Sequence, residues 1–169
     1  MKHAAAFLLL ALSPVASHAA DSRDDPIHDE ETRIDQRFCA DAKTTVDHIA
    51  CSGKALTQAQ ADLTATSDAA LAKWRDSPET VSALKRAQSA WKASFEADVA
   101  ARFAAADAER ARGGWAGSAY LAAHAFYEAQ LTRARTAQLC EFLRGAAYGE
   151  RKTASCDELV EQVLNEQKK

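Results

Sequence analysis

The sequence predicts an all-α fold: a long antiparallel helical hairpin with shorter N- and C-terminal helices packed on it, stapled by disulfides. Three observations predict it. Apolar residues recur at steps of three, four and seven through most of the chain, the repeat of one helix face. Alanine, the best helix former, is abundant, and no run alternates as a strand would. Four cysteines, Cys39, Cys51, Cys140 and Cys156, follow a start that reads as an export signal. In an oxidising compartment an even count implies bridges.

That start is a basic Met1-Lys2-His3, the apolar run Ala4 to Leu12, a break at Ser13-Pro14, and the small-residue site Ser17-His18-Ala19. This is the layout of a secretory signal peptide over residues 1–19. The run is too short to span a bilayer, which needs roughly 20 apolar residues. No cysteine follows the cut, so no lipid anchor is expected, and no later segment reads as a membrane span. The mature chain is expected to be periplasmic or secreted. Loss of Lys2 takes the formal net charge from -3 to -4. An acidic chain is a poor nucleic-acid binder and a plausible partner for a basic protein.

Residues 20–36 carry Asp21, Asp24, Asp25, Asp29, Glu30, Glu31 and Asp35 with almost no apolar groups, and read as a mobile acidic linker. His28 among those acids is read as solvated. A single helical domain is expected over 37–169. It opens with a short helix from Thr44-Thr45-Val46-Asp47 to Cys51, punctuated by Gly53. A second helix over about 55–75 aligns Leu56, Leu63, Ala70, Leu71 and Trp74. Ser77-Pro78-Glu79 then signals a third start, with serine as cap. This helix runs to about 110 on the stripe Val81, Leu84, Gln88, Trp91, Phe95, Val99 and Phe103. Gln88, its one polar member, is expected to hold a neighbouring backbone group through its amide.

Gly113, Gly114 and Gly117 make a turn around Trp115. Ser118 is expected to cap the next helix, about 118–144, with the stripe Tyr120, His124, Tyr127, Leu131, Ala134 and Leu139, and Phe142 and Leu143 near its end. Gly145 and Gly149 loosen the chain. A last helix over about 154–167 aligns Leu159, Val163 and Leu164, with Lys168-Lys169 at its negative end. Three cysteine pairings are open. Local pairing, Cys39 with Cys51 and Cys140 with Cys156, is preferred because it needs only contacts between neighbouring helices. Each bridge is then worth about 3 kcal/mol in the chain-entropy model. The rival reading, a four-cysteine zinc site, lacks the usual closely spaced Cys-x-x-Cys pair.

The chemistry of catalysis is hard to find. There is no His-Glu-x-x-His, no Gly-x-Ser-x-Gly and no phosphate-binding loop. His124 and Glu128, four apart, read as a hydrogen-bonded pair on one helix face, and His48 beside Asp47 as surface. With all thiols bridged, no cysteine nucleophile remains. No catalytic residue, metal or cofactor is expected, and the chain reads as a binding protein. Arg133 and Arg135 leave their helix on different sides. They are expected either to bind a partner or to bridge the hairpin to an acid such as Glu96 or Asp98.

Four pieces of the sequence together resemble the lysozyme-inhibitor LprI-like family of small bacterial envelope proteins. They are Phe38-Cys39-Ala40 with Ile49-Ala50-Cys51; Leu56 through Leu63; Ala87-Gln88-Ser89-Ala90-Trp91; and Gly117-Ser118-Ala119-Tyr120 followed by Leu131-Thr132-Arg133-Ala134-Arg135 and Leu139. The resemblance covers about residues 38–143. The family commonly has a glutamate near Asp47 and an arginine shortly after the tryptophan, where this chain has Ser94-Phe95. Two further family cysteines fall near Val99 and Tyr127, so the resemblance implies that these two pack where relatives carry a bridge. It also implies that Cys39 and Cys51 follow the family pattern, with Cys140 and Cys156 as a separate staple for the last helix.

The resemblance further implies inhibition of lysozyme, with a protein partner, a basic lysozyme, as the target. Lysozyme works with two carboxylates in an open groove, which a rigid loop can fill. Lysozymes of the common animal type are basic, so an acidic chain is steered toward them. The Arg112–Ser118 turn, with Arg112, Trp115 and Ser118, is the candidate plug. The alternative function is a non-catalytic envelope adaptor or structural module that binds another envelope protein through its helical hairpin.

Overall fold

The computed structural model describes residues 36–145 and 154–167. The expected signal peptide, all but the last residue of the acidic linker, Gly149 and Lys168-Lys169 lie outside the described residues. Among the described residues no strand occurs, and four helices carry the fold. We label them α1 (Thr45–Lys73), α2 (Pro78–Ala111), α3 (Tyr120–Arg144) and α4 (Cys156–Glu166). The fold is all-α and doubly stapled, with bridges Cys39–Cys51 and Cys140–Cys156. No described helix is long and apolar enough to cross a membrane.

Helix α1 starts at a reciprocal cap. The Asp47 amide donates to the Thr44 hydroxyl at 3.2 Å, and Asp47 Oδ2 accepts from the Thr44 amide at 2.9 Å. The Thr44 hydroxyl and the amides of Lys43 and Thr44 hold the Asp47 carboxyl below its ordinary range. From there α1 runs unbroken for 29 residues. The sequence expectation of two helices split at Gly53 is therefore corrected. Glycine costs a helix interior only about 1 kcal/mol, too little to stop one that packs along its whole length.

The expected α1 stripe also shifts. Leu56, Leu63, Leu71 and Trp74 are half-buried at the flanks of the core. Its centre is a row of small residues: Ser52, Ala55, Ala59, Thr66, Ala69 and Ala70. Facing them on α3 are Ala122, Phe126 and Ala129 at one end and Leu139 and Leu143 at the other. Residues 51–59 meet 122–129, and 69–70 meet 139–143, so α1 and α3 run in the same direction. Small side chains let two backbones approach closely. The buried hydroxyls do not spoil this, because each bonds its own helix: Ser52 to the Ile49 carbonyl, Thr66 to Asp62, Thr132 to Glu128.

Helix α2 runs antiparallel to α3, completing the hairpin around the glycine turn, and only Leu84 and Val99 along it are buried. The aromatic side of α3 meets it: the Phe103 ring touches Tyr120, His124 and Tyr127. Of the expected Val99–Tyr127 pair, Tyr127 packs edge-on against Phe103, one turn along from the buried Val99. Two expected caps differ. Ser77 shares its hydroxyl with the Thr80 side chain rather than a backbone amide, and α3 begins at Tyr120 without a side-chain cap from Ser118.

We call the end where α1 begins and α2 hands over to α3 the lower end. At the upper end α4 lies across α1 and α3. Leu159 packs with Ala69, Ala70, Leu84, Leu139 and Leu143, and the Cys140–Cys156 bridge holds α4 there. A second reciprocal cap, Ser155 with Glu158, starts α4, and the Ser155 amide and hydroxyl hold the Glu158 carboxyl below its ordinary range. Lys73 Nζ donates to the Leu143 carbonyl at 2.7 Å, satisfying an acceptor that the end of α3 leaves open.

Candidate functional site

The residues expected to act divide into two places. Arg112, Trp115 and Ser118 lie together in the turn at the lower end. Arg133 and Arg135 sit midway along α3.

The turn is held from both sides. The amides of Gly113 and Gly114 donate to the carbonyls of Arg110 and Glu109, each at 2.9 Å. Gly113 and Gly117 adopt φ of 77° and 93°, a region that side-chain-bearing residues avoid. Arg112 closes back on Glu109, Nη2 to Oε2 at 2.6 Å. Across the base of the turn the Tyr120 hydroxyl donates to Asp107, and that bond pushes the Tyr120 hydroxyl pKa up. Arg110 stacks over the Tyr120 ring, 4.9 Å from its centre. His124 lies on the Phe103 ring at 4.5 Å, and its Nδ1 is 3.4 Å from Glu128 Oε1, so the two meet on one helix face as their spacing suggests. The turn is thus fixed at its root by a polar and aromatic cluster. At its tip Trp115 is 79% exposed. Ser118 is also exposed.

Beside the turn lies a depression of about 480 Å³, lined by Trp115, Arg110 and Leu121 and, from α1, by Thr45 and Ile49. Val46, next to Thr45, is 74% exposed, and Leu121 is 49% exposed. Sequence reasoning missed Val46, Ile49 and Leu121. A signal was present: Val46 and Leu121 fall off the helical stripes, at the first turns of their helices, where burial does not call for an apolar side chain.

The two arginines part company. Arg135 is only 8% exposed. Its Nε donates to Gln88 Oε1 at 2.6 Å and its Nη1 to Gln138 Oε1 at 3.0 Å, while Nη2 is buried without a partner. Two expectations are corrected together. Arg135 crosses the hairpin to an amide rather than to Glu96 or Asp98, and Gln88 serves that arginine rather than a backbone group. Glu96 instead pairs with Lys92 on its own helix, at 3.9 Å. Burial without a carboxylate pushes the Arg135 pKa down. Arg133 is half-buried, its guanidinium 5.6 Å over the Phe38 ring, so it packs beside the Cys39 staple.

Among the described residues, the potential metal ligands that come within reach of one another are Cys39, His48 and Cys51. Both sulfurs are joined in the bridge, and a thiolate, not a disulfide, is the metal ligand.

A family model described as "Lysozyme inhibitor LprI" matches residues 39–139, more than half of the chain. No curated protein and no solved structure matches it.

Proposed function

Because the chain belongs to the LprI lysozyme-inhibitor family, we propose that it is an exported, non-catalytic inhibitor that binds a lysozyme and occludes its active-site groove with the Arg112–Ser118 turn. Residues 1–19 are its signal peptide, and it works in the periplasm or beyond. The observation that carries this reading is Trp115: a large aromatic side chain left 79% exposed at the tip of a turn whose root is pinned by Tyr120, Asp107, Arg110 and Phe103. A rigid exposed aromatic loses little freedom on binding and anchors an interface well. The net negative charge favours encounter with a basic enzyme.

The test is the clearing of a cell-wall suspension by a basic animal-type lysozyme, with mature protein added at micromolar concentration. Lysis should slow, and Trp115→Ala should raise the concentration for half-inhibition by about ten-fold or more. Unchanged lysis with the wild-type protein refutes inhibition of that lysozyme. One observation favours the second reading, an envelope adaptor: of the 34 residues of α2 only Leu84 and Val99 are buried, so the helix leaves its outer face exposed along its length. Capture of an envelope protein through α2, unaffected by Trp115→Ala, is the result that reading requires.

A further inference from the structure

Exposed large apolar side chains are unevenly placed. The described residues hold four: Val46, Trp115, Leu121 and Phe142. Three belong to the lower end, and they come from three separate stretches of chain: the first turn of α1, the glycine turn and the first turn of α3. Two of them, Trp115 and Leu121, line the same depression as Thr45 and Ile49, the neighbours of Val46. Scattered exposed apolar residues need no explanation, but a cluster at one end of a small protein marks a contact surface. The charges at this depression are also selective. Among the described residues lining it, the one charged side chain is Arg110. The chain as a whole is acidic, yet this depression offers a cation and apolar walls.

We infer that the lower end docks as a unit: Trp115 enters the partner's groove, Val46, Ile49 and Leu121 seat the apolar lip of that groove, and Arg110 meets the carboxylates on its floor. This rests on the inhibitor reading and deepens it, because it makes the start of α1 part of the interface and states the partner's chemistry. The partner is a basic protein with an acid-floored, apolar-lipped groove, as a polysaccharide-cleaving enzyme has. Overall charge brings the two together, and the local cation prevents the acidic chain from repelling the groove's own carboxylates.

The experiment measures the dissociation constant for a basic animal-type lysozyme by calorimetry, using mature wild-type protein, Val46→Asp, Leu121→Asp, Trp115→Ala and, at the far end, Phe142→Asp. Val46 and Leu121 are exposed, so their variants should melt near the wild-type temperature. Each should bind about ten-fold or more weakly. Their added negative charge favours long-range encounter with a basic partner, so the loss reports the contact itself. Phe142→Asp should bind like wild type. If Trp115→Ala weakens binding while Val46→Asp and Leu121→Asp do not, the turn docks alone and this inference is overturned, with the inhibitor reading intact. If Phe142→Asp weakens binding as much as the lower-end variants, the surface is misplaced. No binding by wild-type protein overturns both.

Discussion

The two ends of this bundle are built from similar parts and treated oppositely. Each has a disulfide, a reciprocal helix cap and a group of large apolar side chains. At the upper end α4 covers that group, and Leu139, Leu143 and Leu159 are almost wholly removed from water. At the lower end nothing described covers Trp115, Val46 or Leu121. The bridges follow suit. Cys140–Cys156 fastens a lid to the bundle. Cys39–Cys51 lies in the small cluster with Ala55, Ala59 and Phe126, beneath the start of α1 that presents Val46 and Ile49. Burial at one end supplies stability, which frees the other to keep its apolar side chains exposed, as the proposed docking surface requires.

The strongest way to break this comparison is to remove each bridge separately. Replacing Cys140 and Cys156 together by alanine should lower unfolding free energy by about 3 kcal/mol in denaturant titrations. It should leave lysozyme inhibition by the folded protein unchanged. Replacing Cys39 and Cys51 should cost a similar amount, about 3 kcal/mol, and should also weaken inhibition, because the start of α1 loses its anchor. Equal effects of the two pairs on inhibition erase the functional difference between the ends.

A smaller effect tests the helix that spans both ends. Arg135, itself buried, and the half-buried Gln88 form a polar tie between α3 and α2. Gln88→Met keeps the side-chain volume and strips the acceptor from a guanidinium that already has one unpartnered nitrogen. The expected cost is about 1–3 kcal/mol, the usual penalty for leaving a buried donor unmet. Gln88→Glu supplies the missing counter-charge and should recover at least wild-type stability. Neither should alter inhibition, since the tie lies away from the turn. A Met variant as stable as wild type reduces the tie to an incidental contact.

That tie also marks what was legible in the sequence. The staples, the long helices and the glycine turn could be read because each has a local signature: cysteine spacing, period, and residues that permit positive φ. The pairing of Arg135 with Gln88 could not, because it joins positions 47 apart in sequence, and an acid was the more usual partner for arginine. The α1 side of the α1–α3 seam, Ala70 apart, was missed for a different reason. A search for large apolar residues finds Leu56, Leu63 and Leu71, whereas that side of the seam is made of alanine, serine and threonine, which carry little hydropathy signal. At the candidate site, Arg112, Trp115 and Ser118 could be proposed from their turn. Thr45 and Ile49 come from α1 and meet that turn only through the fold.

The smallest expected effect concerns Gly53, where the sequence pattern suggested a break that α1 does not make. Its backbone is helical, with no positive φ, and a side chain added there meets nothing within 4 Å. Glycine is therefore not required by geometry, and its flexibility in the unfolded chain is a net loss. Gly53→Ala should stabilise the protein by about 0.4–1 kcal/mol, seen as a higher denaturant midpoint with unchanged slope. The position lies two residues beyond Cys51, within the part of α1 that supports the exposed end. If that end binds as a preformed surface, stiffening its support should leave inhibition equal or slightly stronger. Weaker inhibition from the more stable variant shows that the lower end must bend to bind, and that its exposed side chains are arranged only in the complex.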